Sequence, residues 1–493
     1  MQDTHSTLSI RPIMAALSAR ILMLYSAQHS ATRRDRLCNA LRQAIGEGAL
    51  TAGNRLPSSR LLAVELQLSR VTVEAAYGQL ESEGYLMRKT GQGTFVAVTL
   101  RAPDVKPAAG GVPQNVTLSR RAATVVASGG CQDPLYPQAF AAGSPELRAF
   151  PHQLWRRLTA RQQRLGSTLM RYGDPQGWLP LRQAIAAYLA QARGVRCVPE
   201  QIMVLTSSQQ ALQMLSLLLL DSGEEVWMEN PGYPGARHAF LCAGAHISGV
   251  AVDERGAVPP ANGAPRLIYL TPSHQYPTGA PLSLERRLAW LTLAEQKQSW
   301  IVEDDYDSEF WYDAQPMPAM QGLRPDGRVI YLGTFSKSLF PSLRLAWMVV
   351  PDAFIDPLMR LRSVMDGHSA LLPQAVTAAF IEQGHYAAHL RLMRQLYQSR
   401  RDLLQEQLNT RLSDPLQLLP CRGGLQMTAL LRQGEEAALT RRAAQQQLLL
   451  PRLAPCWPGA EFPKQQGWLL GFAALERAEI IAGVNKLAAL FRP

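Results

Sequence analysis

The clearest hydrophobic periodicity in the chain lies in its first hundred residues. Leu37, Leu41 and Ile45 recur at helical spacing within Arg36–Gly46, so this segment presents one apolar face and is predicted to be an amphipathic helix. Gly53-Asn-Arg-Leu-Pro-Ser-Ser-Arg60 follows. Pro57 with Ser58 or Ser59 supplies a helix start, and Leu61, Leu62 and Leu66 supply its buried face. Ser69 can cap a third helix, Arg70 to about Glu83, which buries Val73, Tyr77 and Leu80 and stops at Gly84. Two short strands, Tyr85–Lys89 and Thr94–Val96, turn at Gly91-Gln92-Gly93. Residues 1–30 are modestly apolar, broken by Arg11 and Arg20, and lack the ordered layout of a signal peptide. They read as an N-terminal extension without an assigned role.

The pattern then changes twice. From Thr99 to about Pro134 the chain is rich in Ala, Pro, Gly and Val with little periodicity, and Pro107-Ala-Ala-Gly-Gly-Val-Pro113 reads as linker. From about Leu135 onward, helical patterns alternate with short apolar runs: Gln201–Leu205, Glu225–Met228, Arg266–Leu270, Trp300–Glu303, Val329–Leu332 and Ala346–Val350. Strands spaced by helices predict βα units and a mostly parallel sheet. The expected organisation is an extension (1–30), a small α+β domain (31–98), a linker (99–134) and a large α/β domain (135–493).

Composition narrows the classes. A length of 493 residues suits two or three domains, and 47% apolar with 18% charged residues describes a globular chain with a substantial core. Lys+Arg exceed Asp+Glu by 50 − 39 = 11, which suits a polyanionic partner but decides little when spread over the whole length. The six cysteines are scattered without a CxxC pair, so neither a disulfide nor a zinc framework is expected, and a reducing cytoplasm fits. No uncharged run reaches the roughly 18 apolar residues of a membrane helix.

Helix, helix, short turn, helix and hairpin make a winged helix-turn-helix. The stretch resembles the GntR family of bacterial regulators in Leu56-Pro-Ser-Ser-Arg60, Ser69-Arg-Val-Thr72, Ala76-Tyr77, Leu80, Glu83-Gly-Tyr-Leu86 and Gly91-Gln-Gly-Thr-Phe95. The resemblance implies binding to double-stranded operator DNA. The start of the third helix would enter the major groove, with Ser69, Arg70 and Thr72 at base edges or phosphates. Arg60 would lie near the backbone, and Gly91, Gln92, Gly93 and Thr94 would form the wing tip. Gln67 departs from the pattern, standing where a turn glycine is usual.

In the large domain, Gly333-Thr-Phe-Ser-Lys-Ser-Leu-Phe-Pro-Ser-Leu-Arg344 sets Lys337 among small hydroxyl residues, seven positions before an arginine. Pyridoxal 5'-phosphate (PLP) chemistry needs such an amine, with donors and a fixed cation for the phosphate. Ile301-Val-Glu-Asp-Asp-Tyr-Asp-Ser-Glu-Phe310 brings carboxylates close to a tyrosine at a strand end; a carboxylate facing the pyridine nitrogen keeps it protonated. Leu205-Thr-Ser-Ser-Gln-Gln-Ala-Leu212 runs from a strand into a helix, whose start offers N–H groups to a phosphate.

These segments occur in the order found in fold-type-I aminotransferases and with the spacing of their MocR/GabR-like regulator branch, a resemblance covering roughly Ala139 to Phe491. It implies PLP in Schiff-base linkage to Lys337. Asp304 would face the ring nitrogen, with Asp305 as its rival, and Tyr306 the ring oxygen. Ser207, Ser208, Thr334, Ser336 and Arg344 would hold the phosphate, although Ser207 stands where a glycine is usual. Tyr233, in Asn230-Pro-Gly-Tyr233, would stack on the ring. Tyr172, in Arg171-Tyr-Gly-Asp-Pro-Gln-Gly177, would reach the phosphate of a partner subunit.

Two departures bear on function. Thr271-Pro-Ser-His-Gln-Tyr-Pro-Thr-Gly279 carries Tyr276 where aminotransferases have an asparagine touching the ring oxygen. Trp468-Leu-Leu-Gly-Phe-Ala473 carries Leu469 where they have the arginine for the substrate carboxylate, and an apolar side chain cannot pair with one. Either another cation such as Arg422 takes that role, or the effector is not an amino acid. The expectation is a cytoplasmic, head-to-tail homodimeric transcription regulator that senses PLP or a PLP-reactive amine or amino acid. No residue is assigned a catalytic role. The alternative is an active aminotransferase carrying an accessory DNA-binding domain.

Overall fold

The computed structural model describes residues 10–30, 32–97, 117–127, 129–130, 139–313, 317–325, 327–457 and 465–492, which divide into two compact units, Met1–Val116 and Thr117–Pro493. The Pro107–Pro113 segment read as linker lies outside the described residues.

In the first unit, α1 (Ile10–Ala27) precedes α2 (Arg33–Gly46), α3 (Ser59–Glu65), α4 (Arg70–Ser82) and the hairpin β1 (Leu86–Lys89)–β2 (Gly93–Val96). The apolar faces of α2, α3 and α4 meet as the periodicity requires, burying Leu37, Leu41, Leu62, Val73, Tyr77 and Leu80. Ser58 caps α3 and Ser69 caps α4 through their hydroxyls. Gln67 takes a positive φ of 50° in the turn between these helices, the conformation for which glycine is the usual residue. The extension gains a place: Ile21, Leu24 and Tyr25 of α1 are buried in the same core, and Arg20 pairs with Glu47 at 2.6 Å.

The second unit is built on an eight-stranded sheet: β3 (Ile202–Leu205), β4 (Glu225–Asn230), β5 (His246–Asp253), β6 (Gly256–Ala257), β7 (Leu267–Leu270), β8 (Trp300–Asp305), β9 (Val329–Thr334) and β10 (Ala346–Val349). Their order across the sheet is β3-β10-β9-β8-β7-β4-β5-β6. Strands β9, β8, β7, β4 and β5 pair in parallel, whereas β10 runs antiparallel to both of its neighbours. β3, β7, β9 and β10 are buried along their whole length, as strands covered on both faces must be. Helices Ser208–Leu219 and Pro234–Ala243 cover one face, and Leu284–Lys297 with Trp290 covers part of the other. A three-stranded antiparallel sheet, β11 (Leu416–Leu418), β12 (Gln426–Leu431) and β13 (Gly467–Gly471), follows a long helix, His385–Leu412.

One boundary is corrected. Residues expected as linker include a helix, α5 (Arg120–Ala127), which packs against Pro234–Ala243 and belongs to the large unit. Its short Ala/Val-rich sequence carries too few turns for periodicity to reveal it.

Candidate functional site

Parallel strands end on one edge of the sheet, and ligands of such sheets bind just beyond those ends. Ser207 and Ser208 follow β3, Tyr233 follows β4, Thr271 and Tyr276 follow β7, Tyr306 follows β8, and Ser336 and Lys337 follow β9. Because β10 is antiparallel, Arg344, two residues before it, emerges at the same edge. These side chains, with Asp304 and Thr334 at the strand ends, line one cavity of about 220 Å³. Nine of the ten expected cofactor residues therefore meet in one place. Tyr172 does not; it is 98% exposed on this chain, its ring edge-on to His368 at 6.1 Å.

Strand alternation decides between the two aspartates. Asp304 lies on the face of β8 that carries Val302, opposite Tyr269, whose hydroxyl donates to Asp304 Oδ2 at 2.6 Å. Oδ1 is buried and has no hydrogen-bond partner among the described residues. Burial pushes the Asp304 pKa up to about 6, with the Tyr269 hydrogen bond opposing the rise. Asp305 points the other way, to Arg193 Nε at 2.7 Å and the Tyr331 hydroxyl at 2.5 Å. Burial alone would raise its pKa, yet the Arg193 guanidinium and these hydrogen bonds hold it below its usual value. Asp305 is thus a structural partner of Arg193.

Lys337 sits on the short helix Phe335–Ser338 immediately after β9, and its Nζ donates to the Gly143 carbonyl at 2.9 Å. Thr334 caps that helix by accepting from Ser336 N at 3.1 Å. Ser207 caps Ser208–Leu219, accepting from Gln210 N at 3.2 Å. The hydroxyls of Ser207, Ser208, Thr334 and Ser336, the helix start and the Arg344 guanidinium form a donor set suited to a phosphate dianion. Tyr306 donates to His274 O at 3.1 Å, and burial keeps its phenol protonated far into the alkaline range. Tyr233 and Tyr276 stand edge to face, ring centres 5.3 Å apart, on one wall.

The residues fit PLP: an amine, a phosphate-binding donor set, an aromatic wall and a buried carboxylate with one unbonded oxygen for a protonated ring nitrogen. Reading the sequence missed Tyr269, Gly143, Asp307 and Gln426, which also line the cavity. Gly143 is 194 positions from Lys337, so no local signal links the two. Tyr269 carries one: it is a tyrosine in an otherwise aliphatic buried strand, and a buried phenol needs an acceptor. Leu469 is 1% exposed and packs with Leu453, Cys456 and Trp457 behind Ala142 and Tyr276. Arg422 is exposed and lines a small neighbouring pocket.

On the first unit, Arg60 and Arg70 are exposed at the starts of α3 and α4, and Gly91 and Gln92 are exposed at the hairpin tip. Gly91 and Gly93 take φ of 75° and 113° there, angles that favour glycine. The Ser69 and Thr72 hydroxyls lie 2.8 Å apart and Ser69 caps α4, so this pair first serves the helix start. Among the described residues, no cluster of His, Cys, Asp and Glu could hold a metal ion, and no helix is long and apolar enough to cross a membrane.

Comparison with known proteins agrees with both halves. Residues 146–469 match the family described as "Aminotransferase class I and II", and residues 33–96 match "Bacterial regulatory proteins, gntR family". The chain belongs to the regulators that join these two domains. It is 39% identical over 469 residues, 92% of this chain and 93% of the relative, to the "Probable rhizopine catabolism regulatory protein MocR" of Rhizobium meliloti. It is 31% identical over 441 residues, covering 89% and 91%, to the "HTH-type pyridoxine biosynthesis transcriptional regulator PdxR" of Corynebacterium glutamicum. Among solved structures it is similar to LysN, an alpha-aminoadipate aminotransferase from Thermus thermophilus complexed with N-(5'-phosphopyridoxyl)-L-leucine, with TM-score 0.66, 27% identity, and 76% of this chain and 94% of that one covered.

Proposed function

We propose that the chain is a PLP-dependent transcription regulator: its first unit binds operator DNA, and the cavity around Lys337 senses PLP or a PLP-reactive amine and alters that binding. The observation that carries this reading is convergence. Side chains from six strand ends supply what PLP requires, in a chain that also holds a gntR-family domain.

Bound there, PLP would supply an electrophilic carbonyl that captures amines and a ring that draws charge from them. Lys337 is the attachment point. Asp304, with Oδ2 fixed by Tyr269 and Oδ1 unbonded, would keep the ring nitrogen protonated. Tyr306, whose hydroxyl donates to His274 O, would hydrogen-bond the ring oxygen. Tyr233 would cover the ring, Arg344 would offset part of the phosphate's charge, and the four hydroxyls would donate hydrogen bonds to it. Tyr172, exposed on its own chain, completes the phosphate site of a partner in a head-to-tail homodimer in the cytoplasm. Arg60, Arg70, Thr72 and the wing tip Gly91–Thr94 contact the operator.

Coupling is then a linkage: if occupancy of the cavity changes operator affinity by some factor, operator DNA changes ligand affinity by the same factor. The second reading, an active aminotransferase, draws support from the likeness to LysN and the intact Lys337–Asp304 arrangement. Tyr276 and the apolar surroundings of Leu469 weigh against it. The test is to purify the protein, record its visible absorbance, and assay binding to DNA upstream of its own and neighbouring genes, together with turnover of an amino donor and an oxo-acid. Lysine-bound PLP with specific DNA binding and negligible turnover supports the regulator. Steady turnover without specific DNA binding overturns it.

A further inference from the structure

We infer that the amine recognised in this cavity carries no carboxylate and directs a second, cationic amino group toward Asp307. The inference rests on the reading of the cavity as a PLP-loaded sensor and names the chemical class it senses.

Three observations support it. The wall formed by Ala142 and Tyr276 is backed by Leu469, Leu453, Cys456 and Trp457, all apolar and buried. A carboxylate pressed against it would give up water for neutral donors alone, the Tyr276 hydroxyl and the Gln426 amide, with no cation to offset its charge, a costly exchange. The cations lining the cavity, among the described residues, are Lys337 and Arg344, and both are committed to the cofactor.

The remaining charge is Asp307. It is buried, lines the cavity, and its Oδ1 accepts from His274 Nδ1 at 2.7 Å. Its Oδ2 receives no hydrogen bond from a described residue and faces Gly424, where a Cβ would come within 2.7 Å of it. That glycine keeps side-chain bulk away from the oxygen. A buried carboxylate with one oxygen held by a histidine and one open is complementary to an ammonium group. Arg422 lines the small adjoining pocket that Asp307 and Gly424 also line; it is exposed to solvent, makes no ion pair with Asp307, and offers a carboxylate a screened contact.

The experiment titrates the PLP-loaded protein with three amines of equal chain length that differ at the far end: putrescine, butylamine and γ-aminobutyrate. The cofactor's visible absorbance is the readout. Putrescine is expected to half-saturate at a concentration about tenfold or more below butylamine, with γ-aminobutyrate weakest of the three. In Asp307→Asn the advantage of putrescine over butylamine should shrink to about twofold or less. A response to γ-aminobutyrate as strong as that to putrescine, a putrescine response no stronger than that to butylamine, or a putrescine preference that survives Asp307→Asn overturns the inference. Absence of PLP absorbance before any amine is added overturns the proposed function itself, and so separates the two failures.

Discussion

The Tyr269 hydroxyl donates to Asp304 Oδ2 at 2.6 Å, so one oxygen of this buried, cavity-lining carboxylate is fixed while the other is buried without a partner among the described residues. The arrangement is costly for the PLP-free protein and useful to the loaded one. A protonated ring nitrogen would satisfy Oδ1 and offset the charge that burial disfavours.

The sign of the pH effect follows. In the PLP-free protein the folded carboxyl titrates at about 6 and the unfolded one near 3.8, so the unfolded state loses its proton first. Stability from this group is present below about pH 4 and falls as pH rises to about 6. PLP-free Asp304→Asn, which keeps an acceptor for Tyr269, should be more stable than its parent by about 2–3 kcal/mol at neutral pH. The two should converge near pH 4 in urea unfolding, and the variant should lose most of its affinity for PLP. Equal stability at both pH values would contradict this placement.

Gly143 and Lys337 give a second prediction. Nζ donates to Gly143 O at 2.9 Å, while a Cβ on Gly143, whose φ is +67°, would stand 2.8 Å from Nζ. Gly143→Ala should therefore displace the amine and lower PLP loading, with roughly 1 kcal/mol of lost stability from the strained backbone. Lys337→Ala should remove covalent PLP altogether and leave the fold intact. Absorbance spectra and thermal melts separate these outcomes, and full loading of Gly143→Ala would refute the contact.

In the DNA-reading unit, Arg70→Ala should weaken operator binding and reduce the salt slope by about one charge. Ser69→Ala should cost about 1 kcal/mol of stability through the lost cap of α4. Fluorescence anisotropy at several salt concentrations checks the first and unfolding of the protein the second. Unchanged affinity in Arg70→Ala would displace α4 from the groove.

α1 is expected to be part of the domain core. Ile21 is completely buried, so Ile21→Ala should destabilise the first unit by about 2–4 kcal/mol. Proteolysis of that unit, with the large unit as internal reference, reads the effect; no change would make α1 an accessory helix.

Much of this was legible because the signals are local. The six buried strands of the large sheet stand out as short apolar runs, and the helix starts at Ser58 or Ser59, of which the structure uses Ser58, and at Ser69 follow from capping chemistry. β5 was not legible: it lies near the sheet edge, is largely accessible, and its mixed pattern resembles a loop. The antiparallel course of β10 was hidden because a buried run looks the same in either direction. In the site, motif residues could be read, but their supports could not. Gly143 reaches Lys337, and Tyr269 reaches Asp304, only through tertiary structure. The choice between Asp304 and Asp305 needed the strand's two faces to be set against their neighbours, Tyr269 on one and Arg193 on the other.

The most direct test of the coupling is the operator affinity of PLP-loaded and PLP-stripped wild-type protein, measured beside Lys337→Ala under the same conditions. The account predicts that PLP changes the wild-type affinity about fivefold or more, and that Lys337→Ala binds operator with one affinity whether or not PLP is present. Equal affinity of the loaded and stripped wild type, with PLP verified at Lys337, would contradict it.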